Sequence, residues 1–180
     1  MKKIIAVFLI LLISSSAFCD DDVSSIYFGL DLGYLDPLLN KTVYNQIETK
    51  MSVAPGLEFS IPVNYVIPTE ENKDATSLGA ALNLNYRPFE NGLFFSFSMF
   101  DISYVFGSDA PSTRLNYLNQ LGLGYTFGVK KFQIEPAIIF INPNGVYDVT
   151  INQLKESLGG YPTIRLQFIV SYRIFEIKNY

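Results

Sequence analysis

The side chains that could carry chemistry are few. The chain has 180 residues with no histidine and one cysteine, which excludes Ser-His-Asp and Cys-His catalysis. The paired acids Glu58 and Glu135 could transfer protons, but salt bridges to arginine are the simpler interpretation. The acidic stretch 70–74 lacks the alternating ligands and the glycine turn of a calcium loop. The sequence therefore predicts no enzyme activity, no metal and no cofactor.

Charged residues within the alternating apolar segments share one face. Arginine pairs with carboxylates through a flat fork and gives up less hydration than lysine, and an unpaired buried charge costs several kcal/mol. We therefore predict an ion-pair network in a confined interior, with the lysines left to loops, turns and the tail. Its predicted members are four acids and four arginines: Asp31, Glu58, Arg87, Asp101, Arg114, Glu135, Arg165 and Arg173.

The elements that must position these charges are β-strands. Apolar residues recur at every second position in seven segments whose lengths are near the roughly 9–11 residues of a tilted membrane strand. Single-chain bacterial barrels have an even number of strands, so an eighth is expected in Asn40–Ile47 or, as a second choice, around Gly145–Ile151. The seven segments are 26–34, 53–63, 78–86, 93–106, 121–127, 132–140 and 164–174.

Local signals refine this plan. A change of phase predicts a β-bulge near Met99–Phe100, and Thr150–Leu158 is predicted to form a short helix, with Thr150 as its N-cap and Gly159 as its stop. Short links normally face the periplasm and long loops the outside. Segments 88–92 and 128–131 are thus expected on the periplasmic side. Segments 64–76, 107–113 and 142–160 are expected outside.

The opposite face of the strands carries mostly Leu, Ile, Val, Phe and Tyr. If this face were exposed to water, it would form one large apolar patch prone to association. An apolar face of this kind is typical of a surface that contacts lipid. The predicted fold is all-β, an antiparallel up-and-down transmembrane β-barrel of eight strands. The alternative is a soluble periplasmic barrel, similar to a lipocalin, that encloses an apolar ligand.

The N-terminus resembles an export signal. Lys2 and Lys3 precede an apolar run of ten residues and then small residues, which predicts a cleaved signal peptide at 1–19 and a barrel domain at 20–180. Acylation of Cys19 is the rival interpretation, but bulky Phe18 precedes that cysteine. The net charge of −4 offers no basic face for nucleic acid.

Taken together, the signal peptide, the alternating strands and the apolar last strand resemble small outer-membrane barrels of the OmpA, OmpX and OmpW type. In the last strand, Phe168, Val170, Tyr172 and Ile174 resemble the assembly signal read by the outer-membrane insertion machinery. The resemblance implies the outer membrane of a diderm bacterium, with its lipid, periplasmic chaperones and that machinery as partners. It also implies a narrow channel for small molecules, hydrophobic ones included, or a surface scaffold. In a channel, the four interior arginines and their acidic partners would gate passage.

Overall fold

The computed structural model describes residues 23–31, 41–69, 75–89, 92–107, 112–117 and 119–178. The predicted signal peptide lies outside these residues. Within the described residues there are ten strands and one helix, which confirms the predicted all-β class. The strands are β1 (Val23–Asp31), β2 (Thr42–Ala54), β3 (Leu57–Pro68), β4 (Thr76–Tyr86), β5 (Leu93–Phe106), β6 (Ser112–Tyr117), β7 (Gln120–Tyr125), β8 (Phe127–Val129), β9 (Phe132–Ile141) and β10 (Ile164–Lys178), and the helix is α1 (Asp148–Leu158).

The strands form one antiparallel sheet that closes into a ring. From β1 to β5 each strand pairs with the next in the chain. β5 then pairs with β6 and β7, and β9 pairs with β7 and β8. β10 pairs with both β9 and β1, which closes the circuit. Because β6, β7 and β8 follow one another in a single position of the ring, the circuit has eight positions.

The eighth position is filled by β2, which covers most of the predicted Asn40–Ile47. Residues 145–151 form turns and the start of α1 instead. The prediction of one continuous strand over 53–63 is wrong, since a turn at Pro55 and Gly56 separates β2 from β3. Outward side chains occupy odd-numbered positions on both sides of this turn. The alternation therefore runs through the hairpin without a change of phase.

The two ends of the ring differ in their connections. Short links at 55–56, 87–92 and 130–131 lie at what we call the turn end. Gly56 and Lys130 adopt positive φ angles of 67° and 58° in two of these turns. The longer connections, including 142–163 with α1, lie at the opposite loop end.

Two local predictions compare closely with the structure. The ladder between β4 and β5 passes from Leu82↔Phe100 to Asn83↔Ser98, so Met99 is the extra residue of a bulge, as predicted. Helix α1 ends at Gly159 in the left-handed conformation, also as predicted. It starts at Asp148 rather than after Thr150, because the Asn142 side chain orders the preceding turn by accepting the Tyr147 N–H at 3.0 Å.

Side chains sort strictly by face. Along β2, Tyr44, Gln46, Glu48 and Lys50 are buried while the residues between them are exposed. Large apolar side chains on the outer face remain open, with Ile61 53% exposed. The interior of the ring therefore holds buried polar and charged side chains as well as a buried apolar cluster, and its exterior carries large exposed apolar side chains.

Candidate functional site

Five charged side chains meet inside the ring near its turn end, and we call them the charged cluster: Glu48, Lys50, Glu58, Arg87 and Glu135. Glu48 and Lys50 are two residues apart on β2 and so point to the same face. Glu58 lies on β3, Arg87 directly follows β4, and Glu135 lies on β9. Strand alternation thus directs Glu48, Lys50, Glu58 and Glu135 into the interior, and Arg87 reaches them from the end of β4.

Glu135 is the centre of the charged cluster. Its Oε1 accepts hydrogen bonds from Arg87 Nη2 at 2.8 Å and from Thr126 Oγ1 at 2.8 Å. Its Oε2 forms an ion pair with Lys50 Nζ. Since β2 and β9 are not paired strands, this contact crosses the interior of the ring.

The remaining contacts complete the charged cluster. Lys50 Nζ lies 3.1 Å from Glu48 Oε1, and Arg87 Nη2 lies 3.4 Å from Glu58 Oε1. Asn85 Nδ2 donates to Glu58 Oε1 at 3.1 Å. The Arg87 side chain is 17% exposed, and the other four are almost fully buried. The cluster is therefore a desolvated network in which each charge has an opposite partner.

A second group of contacts, which we call the seam clasp, lies where the first and last strands of the ring meet. Arg165 of β10 forms an ion pair with Asp31 of β1, and Asp31 Oδ1 accepts the Phe168 backbone N–H at 3.1 Å. The Arg165 guanidinium stacks 3.6 Å from the Tyr44 ring centroid and donates to Gln46 Oε1 at 3.3 Å. Gln46 also donates to Glu48 at 3.2 Å, which joins the seam clasp to the charged cluster.

Three predicted members stand apart from these groups. Asp101 accepts hydrogen bonds from Asn119 at 3.2 Å and Gln120 at 3.0 Å, at the interruption between β6 and β7. Arg114 lies in β6 opposite Ser103, and its side chain is outside the described part of the chain. Arg173 lies near the turn end of β10, where it pairs with Glu176 at 3.2 Å and stays 26% exposed.

Sequence reasoning missed Glu48 and Lys50. The prediction that lysines lie only in loops, turns and the tail is wrong for Lys50, which is 1% exposed. Its ammonium contacts carboxylates on both β2 and β9, and this pairing compensates its burial. The signal available in the sequence was that Tyr44, Gln46, Glu48 and Lys50 occupy alternate positions. Because most residues of this segment are polar, it lacks the regular alternation of apolar residues that identified the other strands.

The predicted assembly-signal residues Phe168, Val170, Tyr172 and Ile174 lie at alternate positions of β10. Phe168 and Val170 are half-buried, whereas Tyr172 and Ile174 are exposed. Pairing with β1 passes from Tyr27↔Arg173 to Ile26↔Phe175, so Ile174 is a bulge residue. The bulge shifts the outward phase to Phe175, which is also exposed.

The loop end of the interior is closed by apolar side chains, which we call the apolar cap. Ile151, Leu154 and Leu158 of α1 are buried in one hydrophobic cluster with residues of β2, β3, β5 and β9. Leu158 is fully buried, whereas Val149 on the same helix is 74% exposed. The strand residues of the cap include Tyr44, Val66, Val105 and Ile141.

Between the charged cluster and the apolar cap lies a cavity of about 20 Å³ lined by Glu48, Lys50, Glu135 and Asn83 among others. One water needs roughly 10–15 Å³ of such space, so side chains pack closely around a cavity that holds one or two waters at most. Glycines contribute to this close packing. A Cβ on Gly122 would lie only 2.7 Å from Ile139 Cδ1 and 2.9 Å from Ser96 Cβ.

No helix in the described part of the chain has the length and apolar character to cross a membrane. Within the same residues, no three His, Cys, Asp or Glu side chains converge as metal ligands. No protein-family model matches the sequence, and no curated protein is similar to it.

Proposed function

We propose that the protein is an eight-stranded outer-membrane β-barrel that catalyses no reaction and serves as a surface scaffold. The observation that carries this proposal is the sidedness of the ring: its ion pairs and amides are buried inside, next to the apolar cap, whereas many large apolar side chains are exposed on the outside. Such an exterior suits acyl chains, which offer no hydrogen bonds. The pairing of β1 with β10 also suits lipid, because an open sheet edge would find no hydrogen-bond partner among acyl chains.

Aromatic residues on the outer surface support a membrane position. Tyr65, Tyr104 and Phe106 stack near the loop end. Tyr125 and Phe127 form one contact near the turn end, and Phe132 and Tyr172 another. Barrels in outer membranes carry aromatic girdles at both interfaces.

The separation of these two groups suits a bilayer. Tyr125 pairs with Leu93, and Tyr104 lies eleven residues further along β5, one of them the Met99 bulge. At about 3.3 Å per residue this is roughly 33 Å along the strand, which a tilt of about 40° reduces to ~25 Å. The apolar band of such barrels is also about 25 Å tall.

The filled interior favours a scaffold over a channel. A ring of eight strands encloses space that side chains can just fill, and the cavity beside the charged cluster measures about 20 Å³. The apolar cap closes the loop end as well. What such a protein offers its surroundings is the surface formed by α1 and the other loop-end connections.

The proposal includes export and assembly. Residues 1–19 would be removed during export, and the last strand would engage the insertion machinery after escort by periplasmic chaperones. The outward, apolar positions of β10 support this engagement. The mature protein would lie in the outer membrane of a diderm bacterium.

The test combines fractionation with gel mobility. We expect the protein in the outer-membrane fraction, extracted only by detergent, and a different apparent mass in unboiled and boiled SDS samples. Release with the soluble periplasm would instead support the lipocalin-like alternative. That alternative needs the opposite sidedness, with the apolar face inside.

Planar-bilayer recording separates scaffold from channel. With the interior filled, we expect no stable conductance from the purified protein. Steady, water-filled conductance would contradict the scaffold and leave the membrane barrel standing.

A further inference from the structure

We propose that the interior of the ring binds one monovalent cation, Na⁺ or K⁺, in the cavity between Glu48, Glu135 and Asn83. This inference depends on the interior alone. It therefore stands or fails separately from the membrane location and the scaffold role.

The first observation is a surplus of negative charge. The charged cluster contains three carboxylates, of Glu48, Glu58 and Glu135, against two cations, of Lys50 and Arg87. The neighbouring seam clasp adds one opposite pair, Asp31 and Arg165, and leaves the surplus unchanged. An uncompensated charge in a desolvated interior is strongly unfavourable, so the cluster favours one additional positive charge.

The second observation is the cavity beside this surplus. Glu48 and Glu135 both line it, and each is linked to Lys50. Its volume of about 20 Å³ admits a bare ion or one to two waters. A bulky organic cation is too large to enter.

The third observation is a buried oxygen that lacks a partner. Asn83 lines the same cavity, and its Oδ1 atom is buried without a hydrogen bond among the described residues. Glu48 Oε1 contacts Lys50 Nζ and Glu48 Oε2 accepts a hydrogen bond from Gln46, and a carboxylate oxygen can accept a second contact. Carboxylate and amide oxygens are the donors that hard cations prefer.

The charge of the cluster selects the valence. One monovalent cation brings the sum of three negative and two positive charges to zero, whereas a divalent cation would reverse it. The expected occupant is therefore a small monovalent ion held by carboxylate and amide oxygens.

The test is the stability of the purified protein in different chloride salts. Urea unfolding is followed by circular dichroism at constant ionic strength in NaCl, KCl or N-methyl-D-glucamine chloride. A ligand that binds only the folded state raises stability with its concentration. We expect a higher unfolding midpoint in Na⁺ or K⁺ than in N-methyl-D-glucamine, rising with the logarithm of the ion concentration.

Two substitutions and a matched control sharpen the result. Glu48→Gln and Glu58→Gln each remove the surplus charge, and each should abolish the difference between salts. Asp101→Asn removes an interior carboxylate outside the charged cluster and should retain it. Equal midpoints in all three salts for the unsubstituted protein would overturn the proposal.

A crystal soaked in Tl⁺ gives an independent reading if a substitution prevents folding. We expect one anomalous peak in the cavity, within coordination distance of Asn83 Oδ1. Density there without anomalous signal would identify water and refute the cation site.

Discussion

The two ends of the ring's interior are filled by different interactions, ion pairs at the turn end and apolar contacts at the loop end. At the turn end, the charged cluster fills the space with side chains whose partners lie on β2, β3 and β9 and directly after β4. At the loop end, the apolar cap fills it with Ile151, Leu154 and Leu158 on residues from four strands. The charged cluster depends on every partner being present, because removal of one charged side chain leaves its partner buried without an opposite charge. The apolar cap depends on many small apolar contacts, and its helical part belongs to one connection, between β9 and β10.

The comparison predicts different kinds of damage. Loss of one charge should weaken the whole ring, because the contacts of Glu135 link β9 with β2 and the residue after β4. Loss of one apolar side chain from α1 should loosen that segment only, because the helix is not part of the sheet. The predictions below test this contrast in order of expected effect.

The largest effect is expected for Glu135→Ala. This substitution leaves Lys50 and Arg87 without their shared carboxylate, and removal of one partner of a buried ion pair costs about 3–5 kcal/mol. Urea unfolding of the refolded protein in detergent should show the loss as a lower midpoint. Glu156→Ala, at an exposed acid of α1, is the matched control. A cost similar to that of the control would contradict the role of the charged cluster.

Leu158→Ala should act locally at the apolar cap. Leu158 is fully buried, and a buried Leu→Ala change costs about 2–5 kcal/mol. Because the cost falls on detachment of α1, trypsin cleavage after Lys155 should accelerate by roughly 30-fold or more, with little change in the unfolding midpoint of the ring. Val149→Ala, at the exposed position of the same helix, should change neither. An equal fall of the ring midpoint would show that cap and ring unfold together.

Gly122→Ala tests the boundary between the two regions. The added methyl would contact Ile139 of the cap on one side and Ser96 on the other. Overpacking of this kind costs about 1–3 kcal/mol, measured as a lower urea midpoint. Gly128→Ala is the control, because a Cβ there meets no atom within 4 Å. If both variants behave alike, the interior is looser than its geometry indicates.

The smallest effect is expected for Arg173→Ala. Its pair with Glu176 is partly exposed, with side chains 26% and 31% accessible, and such pairs contribute about 0.2–1 kcal/mol. Arg87→Ala is the informative comparison, since Arg87 contacts two buried carboxylates. Unfolding midpoints should separate the two arginine variants clearly. Similar unfolding midpoints for the two variants would contradict the distinction between the buried ion pairs of the interior and the partly exposed pair of Arg173.

The alternation of residue types predicted much of the fold. Face assignment from period two holds along β3, and along β10 as far as its bulge at Ile174. The change of phase at Met99 predicted the bulge that the ladder shows. The prediction failed where the alternation gave no sign of a strand end. Outward positions keep odd numbers across Pro55 and Gly56, so only these two turn-forming residues marked the hairpin.

The charged cluster was predicted only in part. Glu58, Arg87 and Glu135 were recognised as polar positions in apolar segments, and the structure brings them together. Lys50 could not be recognised in this way, because its partner Glu135 is 85 positions away in the chain and lies across the ring. The assumption that confined charges are arginines was also wrong for Lys50. The preference for arginine in confined spaces is a tendency, and contacts with two carboxylates stabilise a buried lysine here.

The seam clasp has a consequence for how the molecule is made. Asp31 is near the beginning of the chain and Arg165 near its end, so the two can meet only after every intervening strand is in order. A nascent molecule that stops before the final hairpin keeps a carboxylate with no guanidinium opposite it. A fragment without β10 therefore lacks the Arg165 partner of Asp31, and this loss lowers its stability relative to the complete ring.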